Sequence, residues 1–122
     1  MLEGAATCYN QTPMNTERAD KMVKFVVAFR KPQAPERFEN TYQDFLALVE
    51  RMPSLKRRQV VHVLGSPLGQ APYERQLEMY FASVDVMQAA LMSPIGQEAG
   101  AELNKFEAGL FDIFFGDVYE DS

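Results

Sequence analysis

The sequence predicts an α+β fold: four antiparallel strands with helices on one face, in the order β-α-β-β-α-β. Three observations predict it. Two stretches, around residues 35–52 and 83–104, carry apolar residues at helical spacing. Four others are rich in Val, Ile, Phe and Tyr and read as strands. The two middle strands are joined by the Gly- and Pro-dense loop 65–72, which suits a hairpin with a long connection.

The first strand, Lys21 to Arg30 (KMVKFVVAFR), is apolar on nearly both faces, as in a central strand covered on both sides, and Lys31-Pro32 ends it. A helix from about Pro35 to Met52 follows. Pro35 suits the first helical position and Glu36 the positive end of the helix dipole. Phe38, Tyr42, Phe45, Val49 and Met52 make one continuous stripe, and Pro53 stops the helix. The second strand is roughly Lys56 to Leu64, with a polar start. The third, Tyr73 to Phe81, alternates Leu77, Met79 and Phe81 with Gln76, Glu78 and Tyr80. Ser83 caps a second helix with Val84, Met87 and Leu91 inward. Ser93-Pro94 resets the chain into a shorter helix reaching about Asn104. The last strand, Gly109 to Val118, is rich in Phe and Ile.

Two helices on one face of four strands is the split βαβ, or ferredoxin-like, arrangement. The first and last strands, apolar on both faces, leave the second sheet face apolar, and two such sheets packed together bury it, so a homodimer is expected from strand patterning alone.

The 122 residues, 47 % of them apolar and 9 of them Phe, suffice for one domain with a packed core and not for two. Residues 21–120 form that domain. Residues 1–20 are polar and follow neither hydrophobic period. They read as a floppy leader, as a stretch upstream of a true start at Met22, or as an arm across a partner subunit, and composition leaves these open. With a net charge of −5 and one short basic run, Lys56-Arg57-Arg58, nucleic acid is not an expected partner. The single cysteine, Cys8, excludes an intramolecular disulfide and a paired-cysteine metal site and fits a cytoplasmic setting. No apolar run approaches the roughly 20 residues of a membrane span, and no secretory pattern opens the chain.

Several stretches, taken in order, resemble the EthD family within the dimeric α+β barrel proteins. They are MVKFVVAFRKP, MPSL before a strand, GSP with a nearby Tyr73, LEMYFASVD, MSPIGQEAG, and the Phe-rich closing strand before Asp117. Together they span residues 22 to about 119, and FASVDVMQAALMSPIGQ is the most telling. The resemblance implies a homodimeric barrel, an apolar pocket between sheet and helices, and a bacterial role in breaking down or tailoring small organic molecules such as alkyl ethers, from which an oxidoreductase label follows. It also implies a His on the first helix before the Pro-x-Leu turn. Phe45 stands at or near that place here, so chemistry resting on that His is not expected.

Candidate residues follow from chemistry. His62, the only histidine, sits in VVHVL and is the natural acid or base near neutral pH, or else a structural His on the sheet. Glu78 and Tyr80 are expected to point into the barrel. There Glu78 is either a proton shuttle with a pKa raised by apolar surroundings or a carboxylate paired with Lys24, Arg30 or Arg58. His62 and Glu78 meet only in one strand register. Tyr42 and Phe45 on the first helix are candidates to line a pocket, the alternative being core. Arg58 and Arg30 are candidates to hold an anionic substrate or enolate, the alternative being solvated strand ends. No phosphate loop, nucleophile elbow, dinucleotide fingerprint or metal pattern is visible, so no cofactor is expected.

The expected function is binding of a small hydrophobic organic ligand in the barrel, with cofactor-free oxidation or proton transfer if the protein is an enzyme. The alternatives are a non-catalytic binding protein and a structural dimerisation module whose interior is filled by its own Phe side chains.

Overall fold

The computed structural model describes residues 22–119; the leader 1–20 lies outside them. The elements run β1 (Met22–Arg30), α1 (Pro35–Val49), β2 (Arg57–His62), β3 (Tyr73–Phe81), α2 (Val84–Met92), α3 (Pro94–Leu103) and β4 (Phe111–Val118). The strands form one antiparallel sheet in the order β2-β3-β1-β4. This is the predicted α+β, ferredoxin-like arrangement, with the second helical segment split in two.

β1 is central, as its two apolar faces required. Val23, Val27 and Phe29 are buried on one face, and Val26 and Ala28 are buried on the other. The first set meets Leu77, Met79 and Phe81 of β3 and the stripe Phe38, Tyr42, Phe45, Val49 and Met52 from α1 and the turn after it. Phe29 anchors this core, with Phe38, Tyr42 and Phe106 rings 5.0–5.6 Å away. Offset and edge-on contacts of this kind add about 0.5–1.5 kcal/mol each beyond their burial.

α1 ends at Val49, three residues before the expected Met52. Arg51 N–H and Met52 N–H bond to the Leu48 and Val49 carbonyls at 3.0 Å, tightening the last turn before Pro53. Its N-terminus has no capping side chain of its own. The Glu107 carboxylate accepts instead from the Gln33 and Ala34 N–H groups, at 3.1 and 3.2 Å.

Of the expected inner stripe of α2, Met87 is buried and Leu91 packs half-buried against the core, Ala90 is buried beside them, and Val84 is exposed instead. The following helix was expected to be the shorter, yet α3 has 10 residues against 9 in α2. The S-P-x-G-Q segment is a corner between them. Ser93 Oγ accepts from Gly96 N–H at 3.1 Å, Pro94 opens α3, and Gln97 Nε2 donates to the Met92 carbonyl at 3.0 Å. A Cβ at position 96 would collide with the Ala90 and Leu91 carbonyl oxygens, so only glycine lets the two helices pass this closely.

β4 begins at Phe111, because Gly109 is in a turn at φ 73°. Its Ile113, Phe114 and Phe115 remain about half exposed. Among the described residues, no helix is long and apolar enough to cross a membrane.

Candidate functional site

Strand register decides which side chains share a face. Gln59, Glu78, Val26 and Phe114 form one row across the sheet, and Arg57, Tyr80, Lys24 and Gly116 form the next. Both rows lie on the face turned away from the helical core. Glu78 is only 7 % exposed, a burial a carboxylate tolerates only when well partnered. Lys24 Nζ donates to its Oε1 at 3.2 Å, Gln76 Nε2 to its Oε2 at 2.7 Å, and the Tyr80 hydroxyl lies 3.2 Å from Oε1. The same hydroxyl stands 3.0 Å from Gln59 Oε1. Cations flank the Tyr80 ring, with the Arg57 guanidinium 4.3 Å and the Lys24 ammonium 5.3 Å from its centroid.

This arrangement reverses the expected shift at Glu78. Burial pushes its carboxyl up, but the Gln76 amide, the Lys24 ammonium and the Tyr80 hydroxyl together outweigh it. The net shift is below the ordinary carboxylate value. Lys24 is pulled down by burial and raised further by its bonds to Glu78 and Tyr80, so it ends above its ordinary value. At neutral pH the pair is therefore carboxylate and ammonium. The room on the β4 side is open, since a Cβ at Gly116 would meet nothing within 4 Å.

His62 does not join this group. It pairs with Arg75 and lies exposed on the helix-side face, whereas Glu78 pairs with Gln59 on the opposite one. Tyr42 and Phe45 are core side chains rather than walls of the sheet-face site: Phe45 is buried edge-on against Phe29, and Tyr42 stacks on Phe38. Arg30 is neutralised at the strand end by Asp112, 2.6 Å away. Arg58, on the helix side, lies 3.3 Å from Glu50 Oε2.

Tyr42, Arg58 and His62 thus fall on the helix side of the β2–β3 edge, where the sequence reading missed a fourth member, Arg75. Its guanidinium grips Glu39 with two bonds of 2.7 and 3.1 Å and lies 4.5 Å from the Tyr42 ring centroid. The signal was present in the alternation, because Arg75 shares the phase of Leu77, Met79 and Phe81. Among the described residues, no group of three or more His, Cys, Asp or Glu side chains is placed to hold a metal ion.

No protein-family model matches the chain, and no curated protein matches it. Solved structures do. An ethyl tert-butyl ether D (EthD) family protein from Bacillus halodurans is 26 % identical with a TM-score of 0.73, covering 78 % of this chain and 96 % of its own. A dimeric ferredoxin-like protein of unknown function from Thermobifida fusca is 18 % identical with a TM-score of 0.59, covering 80 % and 90 %. SnoaB, a cofactor-independent oxygenase from Streptomyces nogalater, is 19 % identical with a TM-score of 0.57, covering 84 % and 95 %. The chain is EthD-like, with the ferredoxin-like fold of the dimeric α+β barrel proteins.

Proposed function

We propose that two copies of this chain stack their sheet faces and enclose a small hydrophobic organic molecule against Glu78, Tyr80 and Lys24. The observation that carries this reading is the buried Glu78 carboxylate, held by three donors on a face that also presents a half-exposed Phe114. Apolar walls with a few convergent polar groups are the usual make-up of a small-ligand site. Phe114, 51 % exposed, and Val61, 40 % exposed, lie on the same face and supply apolar surface for a second copy. The dimeric protein of this fold supports the assembly. The cytoplasm is the proposed setting, on the single Cys8.

The chemistry proposed is removal of a proton from an acidic carbon compound, followed in the oxidative form by transfer of the resulting carbanion's electrons to dioxygen as co-substrate; the cofactor-independent oxygenase of the same fold supports the second form. The ionised Glu78 carboxylate takes the proton from the ligand's acidic carbon, the Tyr80 hydroxyl donates a hydrogen bond to the ligand oxygen, and Lys24 stabilises the negative charge developing there. His62 has no part in this step.

Binding without turnover is a second reading, supported by the saturation of Glu78 by its own neighbours. The test is to identify a copurified ligand and follow its conversion by wild-type protein, Tyr80→Phe and Glu78→Gln. Loss of about 100-fold or more in rate in both variants supports the enzymatic reading. Unchanged turnover in both would remove these residues from any catalytic role. Saturable binding with no conversion by wild-type protein would establish the second reading.

A further inference from the structure

Four arginines lie on the strands, and three of them have a carboxylate within 3.3 Å: Arg30 has Asp112, Arg58 has Glu50 and Arg75 has Glu39. Arg57 has no acid partner among the described residues. Its guanidinium lies over the Tyr80 ring instead, 4.3 Å from the centroid. The exception stands beside the hydroxyl proposed to meet the ligand.

The charges of that part of the sheet do not cancel. The rows of Glu78 and Tyr80 hold one carboxylate, Glu78, and two cations, Lys24 and Arg57. Lys24 Nζ is 3.2 Å from Glu78 Oε1, so these two neutralise each other. One positive charge per chain is left over. In a single copy Arg57 is exposed and water answers its charge. In the proposed dimer a second sheet covers this face, and a two-fold interface repeats each patch, so the second copy brings the same excess. Covering an uncompensated cation costs its hydration with nothing in return. An anion between the sheets removes that cost.

The form of the cation selects the anion. A ring face attracts a guanidinium through its quadrupole and takes none of its N–H groups. The planar fork of five donors stays free, and it fits a carboxylate with two parallel bonds. One excess charge per chain matches a carboxylate, whereas a phosphate monoester brings about two. Arg57 and Lys24 stand on opposite sides of Tyr80 in its row. A carboxylate on Arg57 therefore leaves Lys24 and the Tyr80 hydroxyl to the reacting oxygen.

We propose that the molecule enclosed at the sheet face is an organic acid, an apolar body with one carboxylate, and that Arg57 is the residue that selects it. The inference rests on the sheet-face reading and adds its substrate class.

The test is calorimetry on the intact protein with two probes of one shape, phenylacetate and phenylacetamide. Wild type should bind phenylacetate saturably and about tenfold or more tightly than the amide. Arg57→Gln should remove that preference, and Gly116→Leu should weaken both probes. Arg57 is exposed and unpaired, so its variant should melt as wild type does. Equal affinity for the two probes in wild type, both weakened by Gly116→Leu, overturns the acid and leaves the sheet-face reading standing. Phenylacetate binding that Gly116→Leu does not weaken puts the ligand elsewhere and overturns both. The proposal also falls if phenylacetate does not bind, or if the preference survives in Arg57→Gln. It falls too if ligand-free Arg57→Gln dimerises more weakly than wild type, because the charge then answers an acid of the partner subunit.

Discussion

The Tyr80 hydroxyl stands 3.2 Å from Glu78 Oε1 and 3.0 Å from Gln59 Oε1, so one phenolic proton has a charged and a neutral acceptor within reach. A single O–H donates to one of them at a time. When it turns to Gln59, Glu78 keeps its bonds from Lys24 and Gln76. The phenol can therefore change partner without stranding a buried charge, as a group that must also donate to a ligand requires.

Acid should weaken the fold through this cluster. The Glu78 pKa is lowered on folding. Its contribution to stability is therefore complete above the unfolded carboxylate value of about 4.3 and is lost as pH falls through the lower folded value. Glu39 and Asp112 are lowered as well, each first by its arginine, Arg75 and Arg30, and they act in the same window. Glu78→Gln should cost about 1–3 kcal/mol at pH 7. Denaturant titrations should show the gap from wild type closing between about pH 5 and pH 2. A gap that stayed constant across that range would mean that Glu78 is not held ionised by its neighbours.

Gly116→Leu separates ligand room from stability. Nothing lies within 4 Å of the Cβ site, and a strand tolerates the new side chain. Stability of the single-chain fold should stay within about 0.5 kcal/mol of wild type, because nothing within one chain meets the new side chain. Ligand binding beside Lys24 should fall at least tenfold. Calorimetry with the copurified compound reads both quantities.

Gly96→Ala tests the corner that the S-P-x-G-Q segment builds. The added methyl meets backbone carbonyls of α2 rather than a movable side chain, so a loss of about 3 kcal/mol is expected in thermal or chemical unfolding. A neutral result would show that α2 and α3 can separate at no cost.

Phe114→Asp and Leu64→Asp form a contrast. Both wild-type residues expose apolar surface, but Phe114 lies in the Glu78 row whereas Leu64 lies in the loop between β2 and β3. Only the first should raise the dimer dissociation constant, by tenfold or more, in sedimentation equilibrium. Equal effects would move the interface off this face.

Much of the fold was legible because each element carries its own punctuation. Pro35 and Pro53 bracket α1, and Ser83 and Ser93 cap the later helices. The alternation in 73–81 sorts β3 into faces that match the observed register. Residues at the ends of elements were less legible. Whether Met52 continues a helix depends on how the last turn tightens, and the side of α2 that turns inward depends on what it packs against. The site was legible in part. The phase of β3 put Glu78 and Tyr80 together, but the sign of the Glu78 shift required its partners. Lys24 reaches it from β1, 54 positions away in the chain, a contact that only strand pairing reveals. His62 lies opposite Arg75, three positions out of register with Glu78, and an odd offset puts the two on different faces.

Native mass spectrometry of freshly purified protein, before and after denaturation, tests the central claim most directly. The account predicts a dimer carrying an extra mass that is released on denaturation and is absent from Gly116→Leu. A monomer at micromolar concentration, or a dimer whose extra mass persists in Gly116→Leu, would contradict it.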